Sequence, residues 1–339
     1  MNDYPFPENN TERNEMPPLP DLQRERSQIS SIALAITFIT LTTMLLQLVL
    51  GLLFAFFAPP VVNRPWFTML LSTLPMYLIA MPLSLLLYRL GKPSPPPKRR
   101  ISFPAWLALL TVTFAVTYIG NYIGIAVNAI ISMITGEPVE NPLQNLTAQA
   151  PFWANLLFVG ILAPILEEIF YRKLVIDRLR RYGDLVAILV SGTLFGLLHG
   201  NFSQFFYACM VGFLFGYVYL YSGKLRYTVA LHMAVNLVGG VFTSELLKWI
   251  DLEALESGSM DAILQNLLPL SLYGGYLVFV LACMILGPIS VFLLRKHIRF
   301  QKGEVKLNSK SFCHVVLANP SVWILFALIL ISFLLNFIP

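Results

Sequence analysis

Charge is scarce in this chain, and most of it falls between the apolar runs rather than within them. Only 12% of the 339 residues are charged, against 57% that are hydrophobic, and the mean hydropathy is +0.70. Such a balance excludes an ordinary soluble domain, because repeated apolar runs of about 18 residues or more are long enough to cross a bilayer. Cysteine is almost absent. Cys209, Cys283 and Cys313 follow no paired or metal-ligand spacing, so neither a disulfide framework nor a thiolate site is supported. A glycine-rich phosphate fingerprint, a repeat period and a His-Glu-x-x-His zinc spacing are all missing. The net charge of +5 does not point to nucleic acid, since the basic residues lie in the connections between hydrophobic segments, where they fix membrane orientation.

What is present is a series of apolar spans, at roughly 29–58, 66–89, 104–135, 152–173, 184–200, 202–222, 226–247, 266–294 and 321–338. The expected fold is therefore all-α, a polytopic membrane protein of eight to nine transmembrane helices. Residues 1–28 are polar, carry prolines and lack signal-peptide features, and read as a disordered cytoplasmic tail. Residues 29–339 form a single membrane domain with a core at about 104–295. With the N-terminus inside, 21 of the 23 Lys and Arg residues fall on the cytoplasmic side, only Arg64 and Lys248 lying outside. The linker Lys92-Pro-Ser-Pro-Pro-Pro-Lys-Arg-Arg100 is read as a stiff, basic anchor at that face. The Gly-x-x-x-Gly at Gly212–Gly216 is read as a close helix contact.

Against this background, the stretch from Pro164 to Arg172 stands out. Glu167 and Glu168 are the only acids lying well inside an apolar span, and an intramembrane charge is expensive enough to mark a functional site. In a helix Glu168 and Arg172 share a face and can neutralise each other, while Glu167 points about 100° away and is left free. Two of the four histidines, His199 and His232, also lie in apolar spans, and His232 shares a helical face with Asn236.

Gly183 is sixteen residues from both Glu167 and His199, so a straight helical hairpin sets them level. Glu167 lies roughly 8 Å inside Arg172, and His232 roughly 9 Å inside Arg226. The four side chains Glu167, His199, His232 and Asn236 are expected to meet within about 10 Å around a water-accessible cavity nearer the cytoplasm. Carboxylates, imidazoles and an amide together suit amide hydrolysis, which needs an activated water, a proton shuttle and a stabilised oxyanion.

The three motifs Glu167-Glu168-x-x-x-Arg172, Phe195-x-x-x-His199 and His232-x-x-x-Asn236 resemble the signature of the CAAX protease and bacteriocin-processing (CPBP, or Abi) family of intramembrane endopeptidases. The resemblance covers about 164–240. It implies that Glu167 and His199 activate the water, that His232 and Asn236 form the oxyanion hole, and that Glu168 and Arg172 hold the helix in place. It also implies a substrate that is a peptide or membrane protein, and the short loops and lack of targeting signals point to a bacterial plasma membrane. Whether a metal takes part stays open: Glu167, His199 and His232 would make a zinc set, and a metal-free glutamate mechanism fits as well. Two other classes stand beside this reading. One is a non-catalytic membrane scaffold or bacteriocin self-immunity protein; the other is a proton-coupled transporter, which calls for inverted repeats that the sequence does not display.

Overall fold

The computed structural model describes residues 21–335, and these are helical nearly throughout, with one isolated antiparallel bridge between Gly183 and Lys302. The expected all-α, multi-pass architecture is borne out. Seven helices among the described residues are long and apolar enough to cross a membrane: α1 (Leu22–Phe57), α2 (Pro65–Leu87), α3 (Phe103–Thr135), α4 (Phe152–Tyr182), α6 (Phe202–Ser222), α7 (Leu225–Lys248) and α8 (Met260–Leu294). Between α4 and α6 lies the shorter α5 (Asp184–Leu197). A further apolar pair, α9 (Ser309–Leu317) and α10 (Pro320–Leu335), is bent by 61° at its junction and makes an eighth span if the two cross as one.

Three features differ from the sequence expectation. Residues 21–28, read as part of the tail, begin α1, because Asp21 caps the helix by accepting hydrogen bonds from the Gln23 and Arg24 amides. Residues 1–20 lie outside the described residues. The fifth expected span, 184–200, is a helix of only 14 residues, about 21 Å against a hydrocarbon core of about 30 Å. It stops where Gly200 takes a positive φ of 72° and Asn201 accepts from the Gln204 amide to start α6, so α5 and α6 form a tight hairpin. The last expected span, 321–338, is met by α10 up to Leu335, residues 336–339 lying outside the described residues; what differs is α9 ahead of it, separated by a break before Pro320 where buried Asn319 bonds the Arg26 and Val315 carbonyls and accepts from Ser30.

Because lipid tails are as apolar as leucine, burial alone does little to join these helices; close packing and buried polar ties do more. The most extensive contacts are α5 with α6, α3 with α8, and α3 with α6. Gly212 faces α5, where a side-chain carbon would come within 2.8 Å of Gly192 Cα, so the Gly-x-x-x-Gly does serve an internal helix contact.

The segments assigned to the cytoplasmic side meet at one end of the bundle. There the Arg99 amide donates to Ser222 and the Ser94 amide to Asp177. Glu25, only 2% exposed, accepts from Arg181 (2.8 Å) and from the Tyr182 hydroxyl (2.6 Å). Residues 301–305 form a strap across the α4–α5 turn. In it Asp184 N–H donates to Gln301, Gln301 N–H to the Asp184 carboxylate, and Val305 N–H to Arg181.

Candidate active site

Two stretches of α4, Asn155–Leu162 and Ile169–Ile176, are π-wound, and between them the α-helical segment Ala163–Glu168 carries both glutamates. The first has an identifiable cause. Pro164 has no N–H, and the Ala163 N–H bonds back to the Phe158 carbonyl, five residues away. In that register the Val159 carbonyl would look to residue 164 for its donor and find none. Asn236 supplies it instead, its Nδ2 donating to Val159 over 2.9 Å. One proline in α4 is thus answered by one asparagine in α7, and the two helices are tied beside the glutamates.

Glu168 and Arg172 are both fully buried and joined by two hydrogen bonds, Nε to Oε2 at 2.9 Å and Nη2 to Oε1 at 3.2 Å. The expected pair therefore forms, in the bidentate geometry that gives the strongest charge-assisted contact. The remaining nitrogen of Arg172 donates to Ser191 of α5, and Ser191 donates in turn to the Tyr171 carbonyl. Phe195 and Phe215 lie under the guanidinium at 5.7 and 6.0 Å.

His232, 5% exposed, stands between the two glutamates: Nδ1 lies 3.2 Å from Glu168 Oε1, and Nε2 lies 3.6 Å from Glu167 Oε2. Facing a carboxylate, Nδ1 is the donor. Glu167 makes no hydrogen bond within the described residues, and its side chain keeps 19% of its surface accessible. His199 sits in the turn after α5, with Nδ1 2.6 Å from the Phe195 carbonyl. A carbonyl can only accept, so Nδ1 carries a proton, and in the neutral ring Nε2 is the nitrogen with the lone pair. His199 and His232 both present to the Phe195 ring, at 5.1 and 5.7 Å between centroids, and His199 is within electrostatic reach of Glu167.

All four residues singled out from sequence thus lie in one neighbourhood, with Glu167, His199 and Asn236 partly accessible and His232 enclosed. The donor set does not fit a metal centre as arranged: among the described residues no group of three or more His, Cys, Asp or Glu side chains is placed to hold an ion. Glu167 and His232 Nε2 stand 3.6 Å apart, and among the described residues no third such ligand joins them. Sequence reasoning missed Ser191, a common residue in an apolar helix, and the tyrosines Tyr77, Tyr171 and Tyr207, which come within electrostatic reach of Glu167 from α2, α4 and α6. Of these only Tyr171 carried a signal, standing beside Arg172. Tyr207 accepts from Gln204, and Asn201 donates to both Gln204 and the His199 carbonyl, so the turn bearing His199 is held by side chains on α6.

Compared with known families, residues 149–238 match the one described as Type II CAAX prenyl endopeptidase Rce1-like. Among curated proteins, the chain is 28% identical over 112 residues to the UPF0177 protein YxdF of Lactococcus lactis subsp. lactis (strain IL1403), covering 33% of this chain and 60% of that protein. It is 30% identical over 111 residues to the UPF0177 protein YbdJ of the same strain, covering 32% and 47%. It is also 27% identical over 82 residues to the "Putative membrane peptidase YdiL" of Bacillus subtilis (strain 168), covering 24% and 34%. The chain thus spans between about a third and three fifths of the length of these relatives. No solved structure matches. The resemblance carried by the three motifs is borne out at the level of family.

Proposed function

We propose that this chain, Rce1-like across its three motifs, is an intramembrane endopeptidase of a bacterial plasma membrane that hydrolyses a peptide bond in a membrane-associated peptide or protein. The observation that carries the reading is Glu167, an accessible carboxylate free of hydrogen bonds, 3.6 Å from the Nε2 of His232 in the interior of an apolar bundle. A structural acid at that depth would be held by short, fixed hydrogen bonds, as Glu168 is; Glu167 has only His232 beside it, beyond hydrogen-bond length, and is left to act on something from outside.

Glu167 takes a proton from water as the water oxygen attacks the carbonyl carbon, and the carbonyl π pair moves onto oxygen. Asn236 has given one amide hydrogen to Val159 and keeps a second for that oxyanion. His232 can donate from Nε2 only while carrying both ring protons, because its Nδ1–H is directed at Glu168. When the tetrahedral species collapses, the C–N bond breaks and the amine leaves with the proton held by Glu167. The product carboxylic acid still carries the water's second proton, and neutral His199, with an open Nε2, accepts it. Glu168 and Arg172 act through His232 and through the shape of α4. No metal is needed for any of these steps.

The test compares peptides released from cells carrying the wild type with those from cells carrying Glu167→Ala, measured by mass spectrometry. Products present only with the wild type are expected. Identical peptide profiles at equal protein levels would overturn the assignment.

A further inference from the structure

Beyond Asn236, two phenol groups converge on a glycine. Gly239 lies three residues further along the π-wound segment Asn236–Phe242 of α7. A side-chain carbon placed there would stand 3.7 Å from the Tyr118 hydroxyl and 3.9 Å from that of Tyr276. Tyr118 comes from α3 and Tyr276 from α8, with ring centroids 6.3 Å apart. Both side chains are half-buried, and neither hydroxyl makes a hydrogen bond within the described residues. Gly274 and Gly275, just before Tyr276, face open space with nothing within 4 Å, so α8 carries no side chain there to shield Tyr276 from the bilayer.

A hydroxyl without an acceptor is costly where no water competes for it, so two of them aimed at one spot define a place for an acceptor brought from outside. We propose that Tyr118, Gly239 and Tyr276 form a subsite that binds the extended main chain of the substrate beside its scissile bond, the two phenols donating to its carbonyl oxygens. The proposal rests on the endopeptidase reading of Glu167 and His232. Spacing favours a main chain: Gly239 is roughly 4 Å beyond Asn236 along the helix axis, the distance covered by about one residue of an extended chain at about 3.3 Å each. An extended segment also needs such donors. Within a helix its carbonyls are already bonded, whereas a segment unwound for cleavage exposes them at bilayer depth. Gly239 keeps the slot open, since any larger side chain would fill the space beneath the two hydroxyls.

The probe is a fluorescein-labelled pool of apolar decapeptides with randomised sequence, presented in detergent micelles to the Glu167→Gln protein so that turnover does not intervene. Adding Tyr118→Phe and Tyr276→Phe keeps both rings and removes both donors. Binding is expected to weaken roughly tenfold or more, and Gly239→Leu to abolish it, with thermal melts confirming that each variant is folded. In the wild-type background the double Phe variant raises KM on a quenched form of the pool and leaves kcat near its parent value. Equal binding by the double Phe variant, or no binding by Glu167→Gln itself, overturns the subsite. Tyrosine-dependent binding with no cleavage by the wild type leaves the subsite standing and removes the endopeptidase reading. Cleavage with an unchanged KM in the double Phe variant does the reverse.

Discussion

The Nδ1 of His232 lies 3.2 Å from Oε1 of Glu168, the same oxygen that accepts from Nη2 of Arg172. Glu168 therefore orients the imidazole as well as pairing with the arginine. Its carboxylate fixes which nitrogen of His232 is the donor, and thereby turns the other toward Glu167.

Glu168→Gln should act on chemistry through that relationship. The amide can no longer accept from His232 and Arg172 as a carboxylate does, so the ring loses its orientation. A fall of roughly 10²-fold in kcat is expected, with KM little changed, measured on the quenched peptide pool. A kcat equal to that of the wild type in a folded Glu168→Gln protein would confine Glu168 to a structural role.

Arg172→Ala removes two hydrogen bonds from a fully buried carboxylate and one from Ser191. Breaking a buried pair from one side costs about 3–5 kcal/mol, so folded yield and melting temperature in detergent should both drop. Glu168→Gln/Arg172→Gln, which leaves no unpaired charge, is expected to recover part of the yield without recovering turnover. A melt for Arg172→Ala that overlays the wild type would show the pair to be dispensable.

Asn236 has two separable duties. Asn236→Ala leaves the Val159 carbonyl without a donor, a loss of about 1–3 kcal/mol, and removes one oxyanion donor, a loss of about 10²–10³ in kcat. Pro164→Ala introduces an N–H five residues after Val159, in the register the π-wound segment uses. The double variant Pro164→Ala/Asn236→Ala should therefore regain melting temperature over Asn236→Ala while kcat stays low. Parallel recovery of both would show that Asn236 acts on structure alone.

His199→Ala should lower kcat by about 10²–10⁴-fold with little effect on the melt, because the imidazole makes one local hydrogen bond, to Phe195 in the preceding turn. Full activity in His199→Ala would remove it from the proton path.

Much of this site was legible because polar residues are conspicuous in apolar helices. Glu167, His199, His232 and Asn236 announce themselves, and the hairpin about Gly183 brings the first two level. The Glu168–Arg172 pair followed from a spacing of four, which survives although the turn after Glu168 is π-wound. What the sequence hid was of two kinds. The break between the spans 184–200 and 202–222 was legible, but the shortness of α5, which stops at Leu197, was not; the positive φ of Gly200 and the capping by Asn201 shape the turn that follows. Partners drawn from common residues gave no signal either: Ser191, Tyr77 and Tyr207 are ordinary in such helices until tertiary contacts aim them. Reading residues 1–28 as tail failed at Glu25, whose partners, Arg181 and Tyr182, lie more than 150 positions away.

The knot at the α4–α5 turn bears on how far the motif-bearing stretch can be transplanted. Residues 149–238 hold the three motifs, yet the turn that sets Glu167 against His199 is gripped by Glu25 from before that stretch and by residues 301–305 from well after it. A side-chain carbon on Gly303 would run into the backbone of Tyr182, so even the strap's shape is specific to its seat. A chimera that grafts 149–238 into a relative's scaffold would carry the site residues without the clasp. Swaps of this stretch should carry the start of α1 and the 301–305 strap along as one cassette.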